Sequence, residues 1–306
     1  MNKNEKRFQK VSFEPKDYKS YRVKNKMLLL DFLREEVKGV SRNNLKSFLK
    51  YGQVLVNGVS VHQFDYQVNV HDEIIILKKR PHYKELVNDD IHKIYEDEDV
   101  IAIEKPEGIL SVASDKEKVV TSYAKVSKYL MNKDKHAKCY VIHRLDKNTS
   151  GVLVFAKKLD VAKAFQEKWN ELVIKRGYYA IVTGKMKKEE DTFKDYLFKN
   201  NLDLMYVDEK RKGGKLSITH YKVMKTNSEY SLLDVSIMSG RKNQIRVQLG
   251  HRGHYVIGDD KYGEPPNPIN RLGLHAYELK IKHPLQDKIY DFKSKMPDIF
   301  LSIFKR

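Results

Sequence analysis

Nine consecutive residues concentrate the groups able to do chemistry: His143-Arg144-Leu145-Asp146-Lys147-Asn148-Thr149-Ser150-Gly151. Asp146, at their centre, is a carboxylate that could attack an electrophilic carbon or accept a proton. The same letters also spell an ordinary turn, in which Asp, Asn, Thr and Ser bond nearby backbone and Gly closes the loop. Spacing alone leaves both readings open. An aspartyl-phosphatase would want a second acid two residues on for Mg²⁺, and Asp146-Lys147-Asn148 lacks it. His251-x-x-His254 with His275 could suggest zinc, yet no Glu stands at metalloprotease spacing. Gly213-Gly214 lacks the strand, helix and Lys-Ser/Thr context of a P-loop. No metal and no cofactor are expected.

A loop this polar must be held by rigid elements, and loops so held are where catalytic groups tend to sit. Residues 140–142 and 152–156 are β-branched and aromatic, so they read as buried strands on either side. Farther along, residues 100–103 read as a strand and 119–130 as a helix. Asp160 caps a helix with Val161, Ala164, Phe165, Trp169 and Leu172 facing inward. Residues 176–184 form a strand, and residues 219–225 and 231–237 alternate like a strand pair. Residues 241–249 form a short helix with Ile245 and Leu249 buried. The mixed-charge stretch 185–215 reads as a solvated insertion or hairpin.

Ahead of this α+β unit, which spans 91–306, lie three shorter segments. Residues 1–20 are basic and poor in apolar side chains, a flexible arm. Residues 21–80 form a compact module. A helix over 27–37 is followed by a second helix capped by Ser41, with Leu45, Phe48 and Leu49 inward and Gly52 at its stop. Arg42, Asn43, Lys46 and Lys50 share the opposite face, where RNA contact and mere solvation compete as readings. Next come a hairpin turning at Asn57-Gly58 and a closing strand over 73–77. Residues 81–90 are a linker.

Composition narrows the partner. The chain of 306 residues carries 59 Lys and Arg against 41 Asp and Glu, a net charge of +18 that favours a polyanion. No apolar run approaches the roughly 20 residues needed to span a bilayer, and the first twenty residues lack a signal-peptide core. A single cysteine, Cys139, excludes a disulfide framework and suits the cytoplasm.

The segment from His143 to Gly151 resembles the signature loop of the RluA-type pseudouridine synthases. So do Lys105-Pro106-x-Gly108, Gly240-Arg241 through Gln244-Ile245-Arg246, Gly258-Asp259 through Tyr262-Gly263, and Leu274-His275-Ala276. Together these cover most of residues 22–285. The resemblance implies a pseudouridine synthase fold: α+β, a mixed and mainly antiparallel sheet with flanking helices. The module before it resembles the small S4-like RNA-binding domain. The resemblance to the synthases further implies Asp146 as nucleophile, Arg246 as the bidentate guanidinium that keeps it ionised, and Tyr178 as the aromatic residue that packs on the extruded base and assists deprotonation. An adjacent guanidinium favours a carboxylate by about 1–3 pKa units. Arg144 would fill the space left by the flipped nucleotide. His143, Thr149, Arg241 and Gln244 would complete the substrate site, His143 with no proton-transfer role. The implied partner is RNA, first 23S-type ribosomal RNA or a pre-ribosomal particle and next transfer RNA, bound by a monomer away from any membrane. Lys242-Asn243 departs from the Thr-His common before Gln-Ile-Arg, and Val247-Gln248 from Val-His, which bears on substrate choice. The rival from another class is a non-catalytic RNA-binding or ribosome-assembly protein on the same fold. The intact Asp146, Tyr178 and Arg246 set argues against it.

Overall fold

The computed structural model describes residues 18–50, 53–57, 59–61, 63–78, 91–113, 121–208 and 213–304. The chain before Tyr18, Gly52, Gly58 of the Asn-Gly turn, Lys79, Arg80 and the linker 81–90 lie outside them. Two compact units divide the chain, one built from residues 1–89 and 113–120 and one from 90–112 and 121–306.

In the first unit, β1 (Tyr18–Arg22), β6 (Glu73–Leu77), β3 (Val54–Val56) and β4 (Val59–Ser60) form an antiparallel sheet in that order. A separate pair joins β2 (Met27–Leu28) to β5 (Gln67–Val68). Helices α1 (Leu29–Glu36) and α2 (Arg42–Lys50) supply Leu29, Leu30, Phe32, Leu33, Leu45 and Leu49 to one core with Val54, Val56, Ile74 and Ile76. The register Val56↔Val59 leaves a two-residue turn in which Asn57 takes φ +51°, as the expected hairpin requires. Ser41 Oγ accepts from the Asn44 amide at 3.3 Å. Two boundaries are corrected. Tyr18, Lys19 and Ser20, assigned above to the flexible arm, pair with Leu77, Ile76 and Ile75. The strand is held by its backbone ladder against an apolar neighbour, so its own polarity gave little sign of it. Likewise residues 27 and 28 leave the expected helix to pair with β5.

The second unit is a mixed, mainly antiparallel sheet of eleven strands with helices on both faces, the expected α+β architecture. Its strands are β7 (His92–Glu96), β8 (Val100–Lys105), β9 (Tyr140–Val141), β10 (Ser150–Ala156), β11 (Val173–Thr183), β12 (Glu190–Lys199), β13 (Met205–Val207), β14 (Lys215–Thr226), β15 (Tyr230–Ile237), β16 (Leu274–Lys282) and β17 (Ile289–Lys293). The main path runs β13-β12-β14-β15-β11-β16-β10-β8-β7, and β10 with β16 is its parallel pair. Strands β8 and β10 are buried on both faces, so their apolar residues serve two layers. Val100, Ala102, Val152 and Val154 pack against Val161 and Phe165 of α4 (Leu159–Leu172). Ile101, Ile103, Leu153 and Phe155 meet Val126 and Leu130 of α3 (Ser122–Lys133), whose first turn is capped by Thr121 Oγ1. Lys158, not Asp160, occupies the N-cap of α4, and Asp160 lies in its first turn, where negative charge suits the helix dipole. Across the sheet, α5 (Gln244–His251) brings Ile245 and Leu249 onto Ala180, Val182, Leu233 and Val235. The short α6 (Asp298–Ser302) brings Phe300 onto Ile181 and Leu232. Most of the described residues of the mixed-charge stretch fall in strands: β12 pairs with both β13 and β14. Among the described residues no helix is long and apolar enough to cross a membrane.

Candidate active site

The loop carrying Asp146 leaves β9 and rejoins the sheet at β10, and each end is fixed by a specific contact. At its start the His143 ring stacks on Trp169 (5.2 Å, 17°), and Nε2 accepts the Val154 amide at 3.0 Å. Burial, with Arg176 nearby, drops the imidazole to about 3, so it stays neutral and accepts. His143 therefore builds the loop, and it is not among the residues that line the cavity. At the far end Gly151 has φ +115°, and a Cβ there would lie 2.0 Å from the Ala276 carbonyl oxygen. Only glycine lets the loop enter the parallel pair beside β16.

Between these ends the backbone is satisfied from below. Ser111 Oγ donates to Leu145 O at 2.8 Å and accepts Leu145 N at 3.0 Å. The ammonium of Lys105, fully buried, donates to the carbonyls of Pro106, Ile109 and Lys147 at 2.8–2.9 Å. Burial lowers it to about 7, against the pull of Asp146. Arg271 Nη2 donates to Ser150 Oγ at 2.6 Å, and that hydroxyl is also hydrogen-bonded to His275 Nδ1 at 2.7 Å. A turn that could have been mere turn chemistry is thus held rigid from outside itself.

Asp146 opens on a cavity of about 690 Å³, large enough for a nucleotide. Arg144, Thr149, Tyr178, Arg241, Lys242 and Arg246 share its lining. The three residues taken as catalytic, separated by up to a hundred positions in the chain, therefore meet in one basin.

Arg246 does not pair with Asp146 in the expected way. Helix α5 is buried around its whole circumference over residues 244–249, so every polar side chain on it needs a partner. The bidentate fork of Arg246 goes to Asp259, with Nε to Oδ2 at 2.7 Å and Nη2 to Oδ1. Nη2 also reaches Asp260 at 3.2 Å. What remains for Asp146 is Nη1, at 3.8 Å, an ion pair beyond hydrogen-bond length. The donor at hydrogen-bond distance is Asn243. The Asn243 amide is assigned from its neighbours: with its nitrogen turned to the carboxylate it donates to Asp146 Oδ2 at 2.7 Å and its oxygen accepts the Tyr262 hydroxyl at 3.0 Å, in exchange for the 3.3 Å bond its oxygen accepts from Arg246 Nη1 in the other orientation. Asn243 is the N-cap of α5 in the left-handed region (φ +53°), which Asn tolerates better than most residues. The residue flagged as a departure thus touches the nucleophile candidate. Its role was not visible in the sequence, although Gly258-Asp259 and Tyr262-Gly263 were.

Electrostatically the carboxylate is contested. Partial burial raises the Asp146 carboxyl above its usual range, while Arg246, Lys261, Lys105 and Lys242 pull it back down. The Tyr178 phenol is pushed up to about 12 by burial and by Asp146, so it is a neutral hydroxyl at physiological pH. That suits packing against a base better than taking a proton from one. Gln244 lies in the cavity wall, but its amide is fully engaged with protein. It donates to Ile218 O and Thr219 Oγ1 at 3.0 and 2.9 Å, and it accepts from Ser239 Oγ and Arg241 N. It shapes the loop that presents Arg241. In the first unit, Arg42, Asn43 and Lys46 are exposed together on α2, and Lys50 ends that helix.

Comparison with known proteins identifies the family. Residues 99–251, half of the chain, match the RNA pseudouridylate synthase family model. The uncharacterized RNA pseudouridine synthase YhcT of Bacillus subtilis (strain 168) is 31% identical over 221 residues, covering 71% of this chain and 70% of the relative. Ribosomal large subunit pseudouridine synthase C of Escherichia coli (strain K12) is 28% identical over 291 residues, covering 88% and 89%. Among solved structures, human RNA pseudouridylate synthase domain containing 1 superposes with a TM-score of 0.56 at 22% identity, over 68% of this chain and 84% of that one, which supports the fold. The chain belongs to the RNA pseudouridylate synthase family and is an RNA pseudouridine synthase, an isomerase.

Proposed function

We propose that Asp146 is the nucleophile of this enzyme and that its substrate is a uridine of large-subunit ribosomal RNA, flipped into the cavity. The reaction breaks the bond from C1′ to N1 and forms one from C1′ to C5. The C5 proton is lost and N1 gains one, so no oxidant or group donor enters the balance. A carboxylate can carry the detached fragment as a covalent adduct and then release it. The observation that carries the reading is the meeting of Asp146, Arg246 and Tyr178 on one nucleotide-sized cavity. Asn243 donates to the carboxylate and Arg246 places Nη1 beside it, so the attacking group is held ionised against its burial. Tyr178 packs on the extruded base, and Arg144 takes its place in the stack, offsetting the few kcal/mol that unstacking costs.

Ribosomal RNA is favoured because a relative matched over most of both chains is named for the large ribosomal subunit. Transfer RNA is the second choice. In this reading the first unit is an S4-like module that grips structured RNA through Arg42, Asn43, Lys46 and Lys50 by backbone and shape. The enzyme works as a cytoplasmic monomer.

Asp146→Asn tests the proposal. Tritium release from C5-labelled transcripts of 23S-type rRNA should vanish while RNA affinity stays within a few-fold. Retained turnover would remove Asp146 from the chemistry, and turnover confined to tRNA transcripts would move the substrate to the second choice.

A further inference from the structure

Arg176 is buried, with 8% of its surface exposed, and among the described residues no carboxylate lies in salt-bridge range of it. Nη2 donates to the Met238 carbonyl at 2.8 Å, and Nε is buried without any partner. A charged group left this way is costly, and buried charges are ordinarily paired. Burial lowers its basicity, Tyr178 opposes that shift and the nearby Arg241 adds to it. Gly240 leaves room at the guanidinium: a Cβ there would sit 2.7 Å from Nη1. Arg176 stands two residues before Tyr178 on β11, so alternation puts both side chains on one face of the strand. The exposed Arg241, on the rim of the Asp146 cavity, follows Gly240 directly.

A buried cation with an unmet donor, packed against a glycine with a second, exposed arginine beside it, has the make-up of an anion site. We infer that Arg176 and Arg241 form a phosphate subsite for the RNA backbone next to the flipped uridine, the phosphodiester being the missing counter-ion of Arg176. The inference rests on the isomerase acting on a uridine in the Asp146 cavity. A planar guanidinium suits phosphate because it can donate two parallel hydrogen bonds.

Uridine 3′,5′-bisphosphate and uridine are the probes, titrated into the full chain labelled with ¹⁵N at arginine. The Nε–H resonance absent from Arg176→Met should shift with the bisphosphate and stay put with uridine. Arg176→Met should weaken the bisphosphate by about tenfold or more, the worth of one charge-assisted contact. Uridine affinity should not change. Arg176→Lys should fall between, and Gly240→Ala, which displaces Nη1 without removing charge, should also weaken the bisphosphate alone. The subsite is overturned if wild type and Arg176→Met bind the bisphosphate alike, if both ligands weaken equally, or if wild type binds no bisphosphate. Turnover of rRNA by the wild type is read separately, so an active enzyme with an indifferent Arg176 would discard the subsite and keep the isomerase.

Discussion

Removing the Asn243 side chain should move the pH dependence of the reaction rather than merely slow it. Asn243→Gly is the informative change, because glycine accepts the left-handed backbone at φ +53° without strain and only the amide is lost. That amide donates to Asp146 Oδ2 at 2.7 Å. A hydrogen bond to a charged group contributes about 1.5–3 kcal/mol, and one pKa unit corresponds to about 1.4 kcal/mol. With 35% of the Asp146 side chain exposed, solvent screening favours the lower end, about one unit. The sign follows from which form is bonded. The donor favours the carboxylate, so losing it raises the carboxyl further above its usual range, and the ionised fraction at a given pH falls. Single-turnover tritium release measured from pH 5 to 9 should therefore show its acid limb displaced upward by about one unit, with the plateau reached only at higher pH. A variant slower by a constant factor across that range, its acid limb unmoved, would refute the idea that Asn243 sets the ionisation of Asp146.

Other consequences can be checked on the same protein. Gly151→Ala drives a methyl group to 2.0 Å from the Ala276 carbonyl, so the folded yield or thermal midpoint should collapse; a variant melting like wild type would mean the loop joins the sheet differently. Lys105 has a folded pKa near 7 against 10.5 unfolded, so the unfolded chain binds more protons between those values. Stability relative to Lys105→Met should rise with pH through that window, read as the difference in urea unfolding free energy at pH 7 and pH 9. Asp203 neutralises Lys199 and Lys242 at the cavity rim. Asp203→Ala should therefore steepen the log–log salt dependence of RNA affinity by about 0.7 for each new phosphate contact; an unchanged slope would mean these lysines face away from the RNA.

The parts of this architecture legible in the sequence are those where local chemistry and tertiary environment agree. Strand β10 reads as buried because both of its faces are apolar, and α3 and α4 do cover both. The Asn57 hairpin is legible because the turn dictates its own residues. What stayed hidden depends on partners far away in the chain. Tyr18-Lys19-Ser20 looks like part of a solvated arm until β6 offers it a ladder. Arg246 on its own suggests a surface charge, yet α5 is enclosed on every side. Gln244, in a motif associated with substrate, turns out to be engaged with Ile218, Thr219, Ser239 and Arg241, since a buried amide must be satisfied before it can serve anything else.

The division of labour around Arg246 explains why its position demands a guanidinium. One cation faces three carboxylates, Asp146, Asp259 and Asp260, and a point charge would be drawn wholly to the buried one. A planar fork has separate edges. Asp259 takes the edge made by Nε and Nη2, and its Oδ1 also accepts the amides of Lys261 and Tyr262, so that carboxylate cannot swing away. With two edges of the plane committed, the direction of Nη1 toward Asp146 is fixed. The ring of Tyr262 lies 5.2 Å from the guanidinium carbon, and its hydroxyl holds Asn243 in place. The candidate nucleophile is therefore aimed by Asn243 and charged by a field in which Arg246 is one source among several. Lysine at 246 would keep the charge and lose the geometry, so Arg246→Lys should cost turnover at saturating RNA far more than it costs RNA affinity. Equal losses in both would mean that Arg246 acts as charge alone.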